Sequence, residues 1–144
     1  MRQVHTTIQI QTTPGRVIRA FIDQEMLHAW WGVERSLIDP RPGGVYTLAW
    51  QISSTGFGYV TTGTIGAFRA GRKLLIENMV YLNPERPILG PMHLSISAQE
   101  VAGQTRLTIL QGGYQNGPDW DWYYQAVLEA WPVAAQHLKA YLEQ

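Results

Sequence analysis

The feature that most constrains this chain is an apolar stripe in its final quarter, residues 117–144. Apolar and aromatic side chains recur there at alternating steps of four and three, which places them on one side of an α-helix. The stripe consists of Trp120, Tyr124, Val127, Trp131, Ala134, Leu138 and Tyr141, widened at its flanks by Leu128, Ala135 and Leu142. An aromatic ring of this kind buries roughly 150–250 Å². Such a helix therefore needs a broad apolar surface to pack on.

The ends of this helix are marked, but its interior contains a proline. Pro118 follows a turn and suits the first helical position, where a backbone N–H is not needed. Pro132 lies well inside the stripe, where a proline removes one hydrogen bond and costs roughly 3 kcal/mol. We therefore expect a kink or short break near Ala130 and Trp131, with Pro132 opening the second part of the helix.

The middle of the chain changes to a period of two, which is typical of antiparallel strands with one buried face. Tyr46, Leu48 and Trp50 share one face of the first such segment, and residues 92–98 and 105–111 alternate in the same way. Further strands are predicted over 57–68, 73–82 and 34–38. Glycines at 58, 63 and 66 lie inside the 57–68 segment, where glycine often marks a bend. Together these segments predict a sheet that curves around the helix.

The first part of the chain combines one strand with two short helices. Residues 6–11 alternate as a half-buried strand. Thr13 and Asp23 each precede a short amphipathic segment and are suited to cap a helix N-terminus. The predicted fold is one α+β domain over 1–144, with a curved antiparallel sheet gripping the long C-terminal helix and two short helices after the first strand.

Composition excludes several classes of partner. Lys plus Arg and Asp plus Glu number 11 each, and no basic run is visible, so we expect no nucleic-acid and no membrane partner. The four histidines have no ligand spacing and the chain has no cysteine, so we expect no metal and no cofactor. The polar N-terminus does not resemble a signal peptide, which predicts the cytoplasm. Six Trp and seven Tyr suit a large core, a pocket or a subunit interface, so a homodimer is possible.

Several local motifs add a family resemblance. They are LHAWWG at 27–32, DPRPGG at 39–44 with an aromatic at 46, GTI at 63–65 with the turn to 73–74, TRLT at 105–108, and the Trp-Pro through Leu to Tyr-Leu-Glu pattern over 131–143. Their order and spacing resemble the helix-grip fold of the START-like, or SRPBCC, superfamily, and its branch named for the activator of the heat-shock protein 90 ATPase. Three residues depart from the pattern of that branch: Ala130 stands where Gly is frequent, and Glu77-Asn78 stand where Thr-Trp is common.

The resemblance implies a deep cavity between the sheet and the long helix, often holding an apolar small molecule. Members of the superfamily include binding proteins, aromatic-polyketide-type proteins and co-chaperone domains. Our leading hypothesis is therefore binding of an apolar or aromatic small molecule in that cavity. Two alternatives stay open: an enzyme of the cyclase, lyase or hydrolase type using the same cavity, and a co-chaperone-like protein partner.

We expect strands 92–98 and 105–111 to form the floor of this cavity and the helix stripe to form its roof. The predicted walls are Tyr46, Leu48, Trp50, Ile65, Met92, Leu94, Ile96, Leu107, Ile109, Tyr124, Val127 and Trp131. Trp30 and Trp31 are predicted to guard the mouth, together with the proline-rich loop 83–91. The alternative is that the aromatic rings fill the space completely and leave a packed core.

Three polar side chains are the predicted ligand anchors: Gln111, Asn78 and Tyr46. Gln111 shares a strand face with apolar residues, and a buried amide needs hydrogen-bond partners. It is therefore either a ligand anchor or bonded to the nearby helix start. Asn78 makes the pocket more polar only if its side chain points inward, which the apolar character of both faces of 73–82 leaves undecided.

Overall fold

The computed structural model describes residues 2–144 and contains a seven-stranded sheet, two short helices and one long helix. In chain order the elements are β1 (Gln3–Ile10), α1 (Pro14–Arg19), α2 (Gln24–Trp31), β2 (Arg35–Ile38), β3 (Val45–Trp50), β4 (Tyr59–Arg69), β5 (Lys73–Leu82), β6 (Leu89–Val101), β7 (Gln104–Gly112) and α3 (Pro118–Leu142). The strand order is β1-β7-β6-β5-β4-β3-β2, and every neighbouring pair is antiparallel. The predicted fold class is confirmed: a curved antiparallel sheet packs against a long C-terminal helix.

Both short helices begin at the predicted capping residues. The Thr13 hydroxyl accepts the backbone N–H of Arg16 at 3.3 Å, and the Asp23 carboxylate accepts that of Met26 at 3.0 Å. Each bond satisfies one of the N–H groups that a helix start leaves without an internal partner. Gly32 ends α2 in the left-handed region at a φ of 73°. The two caps therefore set both ends of α2, whose last residue, Trp31, contacts Trp50 of β3.

The pairing of β4 with β5 is irregular at two points. The register between these strands shifts between Thr62 and Thr64 and again between Ile65 and Ala67. Gly63 sits at the first shift, where an added Cβ would lie 2.8 Å from the carbonyl oxygen of Glu77. The strand interior therefore needs glycine there because the neighbouring backbone approaches too closely for a side chain.

The helix α3 is continuous through Pro132, so of the kink or short break expected near Ala130 and Trp131 the break is wrong. A kink at this point stays a prediction. The N–H that proline lacks would have bonded to the carbonyl of Leu128. Pro132 is exposed and Leu128 is 40% exposed, so that carbonyl lies on the solvent side, where water can bind it. A proline on the outer face therefore does not interrupt the helix.

The buried face of α3 differs from the predicted stripe in its first half. Trp120, Trp131 and Leu138 are buried as expected, but Tyr123 is buried at 6% exposure while Tyr124 is only half-buried. Leu128, expected to widen the stripe, faces solvent. In the first turns of α3 it is thus Tyr123 that faces the sheet, where its hydroxyl accepts a hydrogen bond from Gln111.

Among residues 2–144, no helix has the length and apolar character needed to cross a membrane.

Candidate functional site

A cavity of about 290 Å³ lies between the inner face of the sheet and α3. Its floor comes from β3, β4 and β5, its roof from α3, and one end from the last residue of α2. The lining residues are Trp31, Tyr46, Leu48, Trp50, Tyr59, Thr61, Met79, Tyr81, Leu94, Gln111, Trp122, Tyr123, Ala126, Val127, Ala130, Trp131 and Ala134. The aromatic rings therefore do not fill the space between sheet and helix completely.

The structure brings part of the predicted site together around this cavity. The predicted residues that line it are Tyr46, Leu48, Trp50, Leu94, Gln111, Val127, Trp131 and the gate residue Trp31. The remaining predicted wall residues lie outside the lining: Ile65, Met92, Ile96, Leu107 and Ile109 are buried in the core, and Tyr124 is half-buried with its ring 5.1 Å from that of Tyr114. Whether any of these residues contacts a ligand stays a prediction.

The alternating pattern predicted that β6 and β7 form the floor of the cavity. In the structure most of the floor is formed by β3–β5. The helix α1 contacts β6 and β7, and α3 contacts β1 beside them. Helices therefore cover most of that side of the sheet, and of the inner side chains of β6 and β7 only Leu94 and Gln111 line the cavity. The open space remains at the other side, where α3 and Trp31 face β3–β5 with both aromatic rings and small side chains.

Asn78 does not reach the cavity. It sits at the register shift of β5 with a φ of 50°, and both Glu77 and Asn78 are exposed. The extra residue at this bulge resets the alternation, so Met79 takes the inward position and lines the cavity. At this point of the lining the structure therefore has the apolar side chain of Met79 and not the amide of Asn78.

The two predicted gate residues have different positions. Trp30 is 5% exposed, and its Nε1 donates to the carbonyl oxygen of Ala20 at 2.8 Å. Its ring stacks on that of Trp31 with the centroids 4.8 Å apart. Only Trp31 lines the cavity, where its ring meets those of Trp50 and Trp131 at 5.2 and 5.3 Å. Trp30 thus supports Trp31 from the core side.

The proline-rich loop meets the cavity rim through polar contacts. The Arg86 guanidinium lies 3.8 Å from the centroid of the Trp122 ring and 3.5 Å from the Asp119 carboxylate. Asn83 Nδ2 donates to the Tyr81 hydroxyl at 3.1 Å. Trp122 and Tyr81 both line the cavity, so the loop is attached to two rim residues. A gating role for this loop stays a prediction.

The polar side of the cavity is a short hydrogen-bond network centred on Gln111, which is 3% exposed. Gln111 Oε1 accepts from Trp131 Nε1 at 2.9 Å. Gln111 Nε2 donates to the Tyr123 hydroxyl at 3.2 Å and contacts Met92 Sδ at 3.8 Å. The amide of Gln111 is thus bonded to α3, at Tyr123 near the helix start and at Trp131 in the middle of the helix. Whether Gln111 also contacts a ligand stays a prediction.

Tyr46 is also held by the protein itself. Its hydroxyl donates to the carbonyl oxygen of Phe21 at 2.6 Å, which ties β3 to the end of α1. Burial raises the pKa of Tyr46 well above its usual range. The ring of Tyr46 lines the cavity, while its hydroxyl hydrogen is already used.

The lining is electrically neutral at ordinary pH. It contains no Asp, Glu, His, Lys or Arg among the described residues, so tyrosines are its titratable groups. Burial raises the pKa of Tyr123, with a smaller contribution from Tyr81, although the hydrogen bond from Gln111 opposes the shift. Burial and Tyr81 likewise raise the pKa of Tyr59. The arrangement therefore suits an uncharged, mostly apolar guest.

Sequence patterns missed several lining residues: Tyr59, Thr61, Met79, Tyr81, Trp122, Tyr123, Ala126, Ala130 and Ala134. A signal existed for two of them. Tyr59 pairs with Trp50 and Thr61 pairs with Leu48 across β3 and β4, so they share the inward face already assigned to Trp50 and Leu48. The glycines of β4 obscured that alternation.

In the described part of the chain no group of His, Asp and Glu side chains is arranged as a metal site.

Comparisons with solved structures identify the same fold in other proteins. The Aha1 dimer from Colwellia psychrerythraea has a TM-score of 0.75 at 15% identity, covering 99% of this chain and 97% of that one. Protein CV1439 from Chromobacterium violaceum has a TM-score of 0.74 at 22% identity, covering 100% and 99%. Protein MLL2253 from Mesorhizobium loti has a TM-score of 0.76 at 18% identity, covering 96% and 95%.

No curated protein matches the sequence. The family profile described as "Activator of Hsp90 ATPase homolog 1-like protein" matches residues 11–143, nearly the whole chain. This match agrees with the helix-grip architecture and with the resemblance carried by the local motifs. The chain therefore belongs to the family of Activator of Hsp90 ATPase homolog 1-like proteins, within the START-like superfamily.

Proposed function

We propose that this protein binds an apolar or aromatic small molecule in the cavity between β3–β5 and α3. The observation that carries the proposal is the cavity itself: about 290 Å³ of space stays open although it is surrounded by aromatic rings. Natural cores pack at the density of organic crystals, with few voids larger than a water molecule. A cavity of this size is more than ordinary core packing leaves, which supports a binding role for it.

The size and the lining both favour a small, flat, uncharged ligand. Small-molecule sites usually measure roughly 300–1,000 Å³ and are mostly apolar with a few placed polar groups, so this cavity is at the lower end of that range. Indole and phenol rings such as those of Trp50, Tyr59 and Trp131 offer faces and edges on which an aromatic ligand can stack. A charged ligand would lose its hydration without gaining a counter-charge from the lining.

The enzyme alternative requires a group that gives or takes a proton in the cavity. The titratable lining groups are tyrosines, and those with shifted pKa values are shifted upward, away from neutral pH. Such hydroxyls stay protonated and are poor general bases. We therefore rank binding above catalysis of the cyclase, lyase or hydrolase type.

The test is titration of the purified protein with N-phenyl-1-naphthylamine, a neutral aromatic fluorophore, together with native mass spectrometry for a co-purified compound. We expect saturable binding of one fluorophore per chain. The matched pair of variants is Ala126→Phe, which places a ring in the lining, and Ala140→Phe, which places the same ring on the exposed face of α3.

Ala126→Phe should abolish fluorophore binding while Ala140→Phe retains it, because both add the same apolar surface but only one occupies the cavity. Circular dichroism checks that both variants keep the fold. Absence of saturable binding in the unmodified protein, with no co-purified compound, would refute the binding proposal. Equal binding by the two variants would place the fluorophore on the surface instead.

The remaining expectations concern partners and location. A co-chaperone role would require stimulation of a bacterial heat-shock protein 90 ATPase, which an ATPase assay with the purified proteins measures directly.

The homodimer stays a proposal, supported by a dimeric structural neighbour. Size-exclusion chromatography with light scattering tests it, and a monomeric mass at all concentrations would contradict it. The cytoplasm stays our proposed location.

A further inference from the structure

The orientation of the Gln111 amide is determined by its neighbour Trp131. The indole N–H of Trp131 can only donate, so the Gln111 atom 2.9 Å from it must be the carbonyl oxygen, Oε1. A flipped amide would set two donors against each other. The NH₂ group of Gln111 therefore faces the opposite way, toward the Tyr123 hydroxyl at 3.2 Å and Met92 Sδ at 3.8 Å.

This orientation decides the role of the Tyr123 hydroxyl. An amide NH₂ group donates and does not accept, so the Tyr123 oxygen accepts from Gln111 and keeps its own hydrogen for another partner. No acceptor in residues 2–144 makes a hydrogen bond with that hydrogen. Tyr123 is only 6% exposed, and buried polar hydrogens are nearly always paired.

The other hydroxyls of the lining differ from Tyr123. Tyr46 is buried, but its hydrogen is used by the Phe21 carbonyl. Tyr59, Thr61 and Tyr81 are half-buried. Tyr123 is thus the deeply buried lining hydroxyl with a donor to spare, and it stands beside Gln111, which also lines the cavity.

We propose that the Tyr123 O–H is the ligand-recognising donor of the cavity, and that the natural ligand is an aromatic molecule bearing a neutral carbonyl oxygen, such as an aryl ketone or quinone. This inference rests on the proposed binding function and specifies its ligand class. A carbonyl completes the hydrogen bonding of Tyr123 without bringing in charge. A carboxylate is disfavoured, because the described lining contains no cation to balance it. Trp131 and Gln111 are positioning residues, since they act by holding the Tyr123 oxygen as an acceptor.

The experiment compares three probes with the same ring system: fluorene, 9-fluorenone and fluorene-9-carboxylic acid. Equilibrium dialysis measures their affinities for the unmodified protein, for Tyr123→Phe and for the control Tyr141→Phe. Tyr141 is half-buried on the same helix and outside the cavity lining. We expect 9-fluorenone to bind about fivefold tighter than fluorene, which is the ratio for one neutral hydrogen bond. The acid should bind no better than fluorene.

Tyr123→Phe should remove the preference for 9-fluorenone and leave the affinity for fluorene unchanged, whereas Tyr141→Phe should keep the preference. The infrared carbonyl band of bound 9-fluorenone supplies a second readout that needs no variant. It should move to lower frequency in the unmodified protein than in cyclohexane, because a hydrogen bond weakens the C=O bond.

The outcomes separate this inference from the binding proposal. If none of the probes binds, and N-phenyl-1-naphthylamine does not bind either, the binding function itself is refuted. If fluorene and 9-fluorenone bind equally, or the ketone preference survives in Tyr123→Phe, binding stands and the role of Tyr123 is refuted. An unshifted carbonyl band refutes it as well, and tighter binding of the acid than of the ketone refutes the ligand class.

Discussion

The network of Gln111, Trp131 and Tyr123 yields a prediction about stability that is independent of any ligand. Gln111→Leu replaces the amide by an apolar group of similar size and leaves the Trp131 indole N–H without its acceptor. Gln111 and Trp131 are 3% and 5% exposed, so little water reaches either group. A buried donor left unpaired costs about 1–3 kcal/mol, and we expect a loss of about 2 kcal/mol in the free energy of unfolding.

Urea denaturation followed by far-ultraviolet circular dichroism measures this loss, since tryptophan fluorescence would respond to the substitution itself. With a slope of about 2 kcal/mol per molar urea, the midpoint should fall by about 1 M. Trp131→Phe should also destabilise, because it leaves the Gln111 carbonyl without its donor and creates unfilled space beside Trp31.

The double variant Gln111→Leu with Trp131→Phe is the decisive measurement. Removing both partners leaves no unpaired group from that bond, so the double variant should be more stable than the sum of the two losses predicts, by about 0.5–3 kcal/mol. Additivity of the two losses within about 0.5 kcal/mol would refute the coupling. A midpoint unchanged in Gln111→Leu would show that water in the cavity satisfies the Trp131 N–H.

Three further predictions concern the scaffold around the cavity. Gly63→Ala should cost about 1–3 kcal/mol in urea denaturation because the added Cβ meets backbone. Gly66→Ala should cost less because the added Cβ meets only the end of the exposed Glu77 side chain, which can rotate away, and equal losses would contradict this account. Asp23→Ala should cost about 1 kcal/mol by removing the α2 cap, and an unchanged melting temperature would disprove that role. Tyr114→Phe should be neutral or slightly stabilising because the buried Tyr114 hydroxyl has no hydrogen-bond partner, while Tyr46→Phe should destabilise because it removes the bond to the Phe21 carbonyl. Thermal denaturation compares the two variants, and a clear loss of stability in Tyr114→Phe would contradict the absence of a partner.

Much of the fold was predictable because its signals are local. The strand over 73–82 has the predicted bounds, and Thr13 and Asp23 begin the helices they were expected to cap. Alternation along a strand and the spacing of the C-terminal stripe depend only on neighbours in the chain. β1 begins earlier than predicted, at Gln3, because its pairing with β7 continues past the alternating segment.

The candidate site was only partly predictable because a cavity is a property of the assembled molecule. Alternation correctly assigned Tyr46, Leu48 and Trp50 to the inner face, and these residues line the cavity. It could not show that α1 covers β6 and β7, which moves the open space toward β3–β5. Tyr59 and Tyr81 line the cavity because of how their strands pair with neighbouring strands. The sequence pattern did not show this, because glycines interrupt β4 and a bulge interrupts β5.

The sequence by itself determined that this protein has an antiparallel sheet, two capped short helices and a long aromatic helix, since periodicity and capping act over a few residues. Only the tertiary structure decided which side chains meet. One extra residue in β5 turns Asn78 outward and Met79 inward, and the packing of α3 on the sheet buries Tyr123 more deeply than Tyr124. Both effects depend on packing between distant segments, where a bulge or a neighbouring element decides the direction of a side chain without changing the local pattern that predicts the element.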